Sequence, residues 1–159
     1  MPEYTGTPSG RGRRFAVVAS KFNEEITSKL VAGAVDALVK HSVLQKEIDV
    51  VWVPGAWELP AAARRLLSMD RYDAVVAVGA VVRGETPHFD YVAGEAARGL
   101  GRASAEYDRP IGFGVLTCDT MEQALERAGG AHGNKGWDAA MAALEMVDLF
   151  DRLDASDES

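Results

Sequence analysis

Nine consecutive residues, Ala74-Val75-Val76-Ala77-Val78-Gly79-Ala80-Val81-Val82, carry no polar side chain. A strand with one wet face alternates apolar and polar residues, so a run without alternation belongs to a strand covered on both faces. Such strands occur in parallel sheets enclosed by helices, and the rest of the chain must supply those helices. The run is about half of the ~20 residues needed to span a membrane.

The flanking pattern meets that requirement. Phe15-Ala16-Val17-Val18-Ala19-Ser20 reads as a first buried strand. Asn23 is placed to cap a helix whose Ile26, Leu30, Ala34, Ala37 and Leu38 share one face. The polar link Gln45-Lys46-Glu47 leads into a second strand, Ile48 to Val53. Pro54-Gly55-Ala56 forms a turn, and Trp57 to Leu67 a helix that tolerates Pro60 in its first turn. Beyond the nine-residue strand, a helix runs from His88 to about Tyr107, and Ile111 to Leu116 is a fourth strand. Thr120 and Gln123 have capping-box spacing for a helix that ends near Ala128. Gly129-Gly130 breaks it, and a last helix runs from Asn134 or Lys135 to Leu153, with Trp137, Met141 and Leu144 on one face.

The expected fold is α/β, a three-layer α/β/α sandwich around a mostly parallel four-stranded sheet with flavodoxin-like winding. Neither a repeat nor a linker interrupts the pattern. Residues 1–159 are therefore expected to form one domain, with residues 1–13 as an arm and the acidic end, 154–159, mobile. Gly94, Gly99 and Gly101 interrupt the third helix among Ala93, Ala96, Ala97 and Ala103. Each glycine costs about 1 kcal/mol against alanine in a helix, so close packing is expected there, on its own sheet or on a neighbouring subunit.

The net charge of −7 argues against general nucleic-acid binding. One cysteine, Cys118, excludes an internal disulfide framework and a cysteine-rich zinc site, and is expected to pack as a small hydrophobe. Met1 to Arg14 carries Arg11, Arg13 and Arg14 without the apolar stretch of a secretory signal. The expected location is cytoplasmic, with no membrane partner.

Three strand ends supply chemistry, and in a parallel sheet all three open on the same edge. After the first strand, Phe22 can stack on a flat heterocycle or staple its own helix. After the second, Gly55 lets amides approach a ligand. Glu58 there can accept hydrogen bonds from hydroxyls or act as a helix cap. After the third, Glu85-Thr86 offers backbone amides to an anion just before His88, which can give and take a proton near neutral pH. Arg127 and Lys135 are cations without an obvious partner, as most solvated surface cations are; His41 and His132 have no supporting context.

A flavodoxin-type flavin module should have a Ser/Thr-rich loop after its first strand, where this chain has Ser20-Lys21-Phe22-Asn23. A phospho-receiver module needs clustered carboxylates where this chain has Ser20 and Val82-Arg83. A structural shell protein without catalysis is a third possibility.

Taken together, Pro54-Gly55-Ala56-Trp57-Glu58-Leu59-Pro60, Val81-Val82-Arg83-Gly84-Glu85-Thr86-Pro87-His88-Phe89-Asp90-Tyr91 and Gly114-Val115-Leu116-Thr117 are more specific than any one alone. The pattern resembles the lumazine synthase family, and Arg127-Ala128-Gly129 and Gly133-Asn134-Lys135-Gly136 extend it over roughly Phe15 to Leu149. The resemblance implies a transferase of riboflavin biosynthesis, needing neither metal nor organic cofactor. It would condense 5-amino-6-(D-ribitylamino)uracil with 3,4-dihydroxy-2-butanone 4-phosphate to 6,7-dimethyl-8-ribityllumazine, releasing phosphate and water.

By position, the resemblance puts Phe22 against the pyrimidine and gives Ala56, Trp57 and Glu58 the ring edge and ribityl chain. It gives the backbone at Ala80, Val81 and Val82 the pyrimidine, Glu85 and Thr86 the phosphate, and His88 the proton shuttle. Phe113, Arg127 and Lys135 would come from the adjacent subunit, Arg127 toward phosphate and Lys135 toward the pyrimidine. Asp138 departs from the glutamate of many members and is not counted in the site. Members form homo-pentamers, and some assemble twelve pentamers into a hollow shell. The connector Gly129 to Asn134 resembles the shell formers, which makes riboflavin synthase the enclosed partner to look for.

Overall fold

The computed structural model describes residues 1–157. Four parallel strands form one sheet: β1 (Phe15–Ser20), β2 (Ile48–Val53), β3 (Ala74–Val82) and β4 (Ile111–Cys118), in the order β2-β1-β3-β4. The helices are α1 (Glu24–Lys40), α2 (Leu59–Ser68), α3 (His88–Tyr107), α4 (Met121–Glu126) and α5 (Lys135–Asp157). β1 alternates between two cores. Phe15, Val17 and Ala19 face the core built with α1 and α5, whereas Ala16 and Val18 face the one built with α2 and α3. Burial on both faces is what the apolar runs of β1 and β3 require. The chain winds from β1 out to β2 and back past β1 to β3, so the order reverses between β1 and β3, where open α/β sheets leave a crevice.

Helix α1 presents Ile26, Leu30, Ala34, Ala37 and Leu38, all fully buried; each large side chain among them contributes about 1.5–3 kcal/mol. Its contact with α5 is close because two glycines permit it. A Cβ on Gly33 would lie 2.3 Å from the Asn134 side chain, and one on Gly136 would lie 2.0 Å from Leu30 O. Asn134 uses the space, accepting from Trp137 N at 3.1 Å to cap α5 and donating to Lys29 O at 3.0 Å. In α3, half-buried Gly99 packs on α2. Its missing Cβ makes room for Pro60 of the neighbouring α2, at 2.6 Å, while Gly94 and Gly101 border open space.

Several boundaries differ from expectation. Ala56–Glu58 is a 3-10 turn, and α2 starts at Leu59, after Trp57 rather than at it. β4 runs two residues past Leu116 because Val82 still pairs with Cys118. The helix opened by Thr120 and Gln123 has both capping-box bonds but ends at Glu126. Beyond it lies an unexpected small antiparallel hairpin, β5 (Ala128–Gly130) and β6 (Gly133–Asn134), with Gly129 and Gly133 at φ of 108° and 80°. Asn23 sits at the helix start but makes no side-chain cap; it adopts φ 63° and donates to Ala80 O at 3.3 Å, tying the end of β1 to β3.

At the acidic end α5 continues through residues 154–157; residues 158–159 lie outside the described residues. The N-terminal arm packs along the same helix. Gly6 fits against the backbone of Glu145, Thr7 N donates to Asp148 Oδ2 at 2.7 Å, and Arg13 pairs with Asp151. The Thr7 amide, followed by Arg152, holds the Asp148 carboxyl below its usual value. A depressed carboxyl contributes stability above its unfolded value, near 3.8, that disappears as pH falls through the lower folded value. Protection of the Thr7 amide from hydrogen exchange, taken relative to its intrinsic rate at each pH, is therefore expected to fall below that window before the sheet amides respond; equal protection at acid and neutral pH would exclude the contribution. Among the described residues no helix is long and apolar enough to cross a membrane. Cys118 is buried, and burial pushes its thiol pKa up.

Candidate active site

The crevice lies at the carboxyl ends of β1, β2 and β3. Backbone bonds from Lys21 N to Val53 O (2.8 Å) and Phe22 N to Pro54 O (3.1 Å) bind the exits of β1 and β2 together. Phe22 therefore stands beside the 54–58 turn. Its side chain is 71% exposed and Trp57 57%, so neither aromatic is used up by the core and the helix-staple role for Phe22 gains nothing. Glu58 makes no cap hydrogen bond from its side chain, leaving its carboxylate available to a ligand. Gly55 admits that carboxylate closely, since a Cβ there would lie 3.3 Å from Glu58 Oε1.

The third wall comes from β3 and the turn beyond it. Ala80 and Val81 are buried at the sheet edge, and the chain then turns outward through exposed Gly84, Glu85, Thr86 and Pro87 into α3. Pro87 stands at the N-cap and offers no side-chain acceptor, so first-turn amides of a long helix remain available to an anion. His88 is the first residue of that helix, and its ring is exposed at the mouth. Arg83 continues the ladder, with its N donating to Cys118 O at 2.8 Å. Its side chain then reaches Asp119 (Nε to Oδ1, 2.8 Å) and approaches Asp90 (3.9 Å), with its guanidinium 4.6 Å from the Phe89 ring centroid. The hydrogen bond it donates to Asp119 raises the Arg83 pKa further.

Phe22, Ala56, Trp57, Glu58, Ala80, Val81, Val82, Thr86 and His88 thus line one cavity of about 800 Å³. Glu85 adjoins it in sequence without lining it. Phe113, Arg127 and Lys135 are elsewhere, on a second cavity of about 770 Å³ beyond β4 that Asp138 also lines. Arg127 donates to Gln123 O at 3.1 Å, and among the described residues neither it nor Lys135 forms an ion pair. A bond from Lys135 N to Arg127 O, 2.8 Å long, holds the two cations side by side. His41 bonds Ala37 O and His132 lies 3.4 Å from Glu126, both away from the crevice. Tyr91 and Val92 also line the crevice. Their spacing of three and four residues after His88 puts them on the same helix face, a signal present in the sequence itself. Among the described residues, no three His, Cys, Asp or Glu side chains converge as a metal site requires.

This arrangement is an α/β fold with a crevice at the switch point of a parallel sheet, bordered by exposed aromatic side chains and by the first amides of a helix. The model for the 6,7-dimethyl-8-ribityllumazine synthase family matches residues 12–151. A 6,7-dimethyl-8-ribityllumazine synthase of Gemmatimonas aurantiaca is 65% identical over 158 residues, covering 99% of this chain and 96% of that protein. One of Aquifex aeolicus is 50% identical over 153 residues, covering 96% and 99%. The chain belongs to the 6,7-dimethyl-8-ribityllumazine synthase family. It is an enzyme of riboflavin biosynthesis that condenses 5-amino-6-(D-ribitylamino)uracil with 3,4-dihydroxy-2-butanone 4-phosphate.

Proposed function

We propose that the condensation takes place in the β1–β3 crevice and that each subunit carries half of the site. The aminouracil ring stacks on Phe22, with its edge against the backbone at Ala80, Val81 and Val82 and its ribityl hydroxyls at Ala56, Trp57 and Glu58. The phosphate of the second substrate sits on the amides and hydroxyl of Glu85 and Thr86. The amine attacks the ketone to give a carbinolamine and then an imine, and proton removal expels phosphate. A second dehydration closes the ring. His88, beside the anion turn, moves the protons. Holding the two substrates together can supply several kcal/mol of the barrier, and the histidine about 10²–10⁴-fold.

The observation that carries this reading is the split between the cavities. Arg127 and Lys135 are joined to each other, have no carboxylate partner among the described residues, and stand outside β4 rather than in the crevice. In a ring of identical subunits they, with Phe113, can complete a neighbour's crevice, Arg127 meeting phosphate and Lys135 the pyrimidine. A homo-pentamer is the assembly proposed. A shell of twelve pentamers enclosing riboflavin synthase would extend it, and a cytoplasmic location and a single catalytic domain belong to the same reading.

Arg127→Ala is expected to raise KM for the butanone phosphate by roughly tenfold to a hundredfold, the scale of one lost charge-assisted hydrogen bond, with less change for the aminouracil. Equal weakening of both substrates in an intact assembly would exclude the phosphate role. Light scattering separates pentamer from shell, and a fully active monomer would remove the shared site.

A further inference from the structure

The structure assigns Arg83 as a positioning residue that sets the anion turn without touching the substrate. This rests on the reading of residues 84–88 as the place where the phosphate ester is held. Gly84, Glu85, Thr86 and Pro87 are all exposed, and none of their side chains makes a hydrogen bond among the described residues. The turn must be ordered from its two ends, and one guanidinium reaches both.

At the entry, the Arg83 backbone forms the last rung to β4, at Cys118 O, 2.8 Å. Its side chain then lies over Phe89 in the first turn of α3 (4.6 Å to the ring centroid), approaches Asp90 (3.9 Å), and bonds Asp119 beyond β4 (2.8 Å). Asp119 is itself anchored, its N donating to Gln123 Oε1 at 2.8 Å beside the capping box of α4. Phe89 packs on the core with α2 and α3, so the far end of the turn is fixed against a rigid body. The guanidinium thereby closes a small loop containing the amides, Thr86 and His88.

Its ion pairs separate this role from direct contact with phosphate. Two carboxylates, Asp119 and Asp90, already offset the charge of Arg83. An exposed ion pair adds little to global stability, so removing it should loosen the turn and leave the sheet intact. A displacement of about 1 Å in a positioned site can cost on the order of a hundredfold.

The test is steady-state kinetics on the assembled full-length enzyme with both substrates. Arg83→Ala is expected to raise KM for the butanone phosphate about tenfold while KM for the aminouracil changes less than about twofold. Arg83→Lys keeps the charge but not the planar fork, and should remain close to the alanine variant. Asp119→Asn should reproduce part of the loss, and the double variant Arg83→Ala/Asp119→Asn should be no worse than Arg83→Ala alone. Additive losses, or full rescue by lysine, would overturn the positioning role. Thr86→Ala separates the two layers of inference. If it raises KM for the phosphate substrate while Arg83→Ala does not, the Arg83 assignment fails alone; if neither does, the phosphate reading of the turn fails with it. Should Arg83→Ala not fold, Asp119→Asn carries the same comparison from the other side of the pair, and an unchanged KM there overturns the assignment.

Discussion

Replacing His88 with alanine is expected to lower kcat by about 10²–10³-fold while leaving KM for the aminouracil nearly unchanged. The ring is exposed at the crevice mouth, at the first position of α3, so its removal leaves no hole in either core. On the proposed role the loss should appear in turnover, since a histidine that moves protons during dehydration and phosphate release does not hold the pyrimidine. An unchanged kcat would take His88 out of the mechanism. The same variant probes the shared site. His88→Ala and Arg127→Ala subunits, each impaired alone, can be refolded together. Random mixing leaves about one crevice in four with both residues intact if a site draws on adjacent subunits, and recovery to roughly a quarter of the native rate is then expected. No recovery in well-formed mixed rings would place both residues in a site of one subunit.

Gly136→Ala should be among the most damaging small changes to stability, at about 3 kcal/mol or more. Helix propensity alone favours alanine over glycine by about 1 kcal/mol, so the sign of the result distinguishes packing from propensity. The added methyl would lie 2.0 Å from Leu30 O, a backbone atom of a fully buried residue of α1 that no rotamer change can move. α1 and α5 would have to separate, losing the Asn134 bond to Lys29. Urea denaturation reads the effect as a lower midpoint at a similar slope. A midpoint at or above the native one would show that the two helices are not held at this distance.

The sheet is legible in the sequence because burial on both faces leaves no polar residue in β3 and only Ser20 in β1. The crevice is legible with it, since parallel strands open their carboxyl ends on one edge, and Phe22, Glu58 and His88 each come after a strand at that edge. The illegible part depends on contacts distant in sequence. Asn23 has the composition of a cap, but Ala80 O, 57 positions away, takes its side chain. The N-terminal arm lies along α5 at Asp148 and Asp151, a contact no local pattern encodes. The hairpin of β5 and β6 is too short to have a periodicity. Arg127 and Lys135 look like ordinary surface cations by local chemistry. Only family resemblance gives them a role, because spacing along a chain says nothing about a neighbouring molecule.

The hairpin between the two cations separates what can vary from what cannot. Its base is pinned by the Lys135–Arg127 backbone bond and by Asn134 on α1, while its tip, Ala131 and His132, is exposed. Extra residues at that tip would lengthen an outward finger without altering the spacing of the charges beneath it. On the proposed site, a peptide grafted between Ala131 and His132 is expected to add new surface while the base of the hairpin keeps the two cations together.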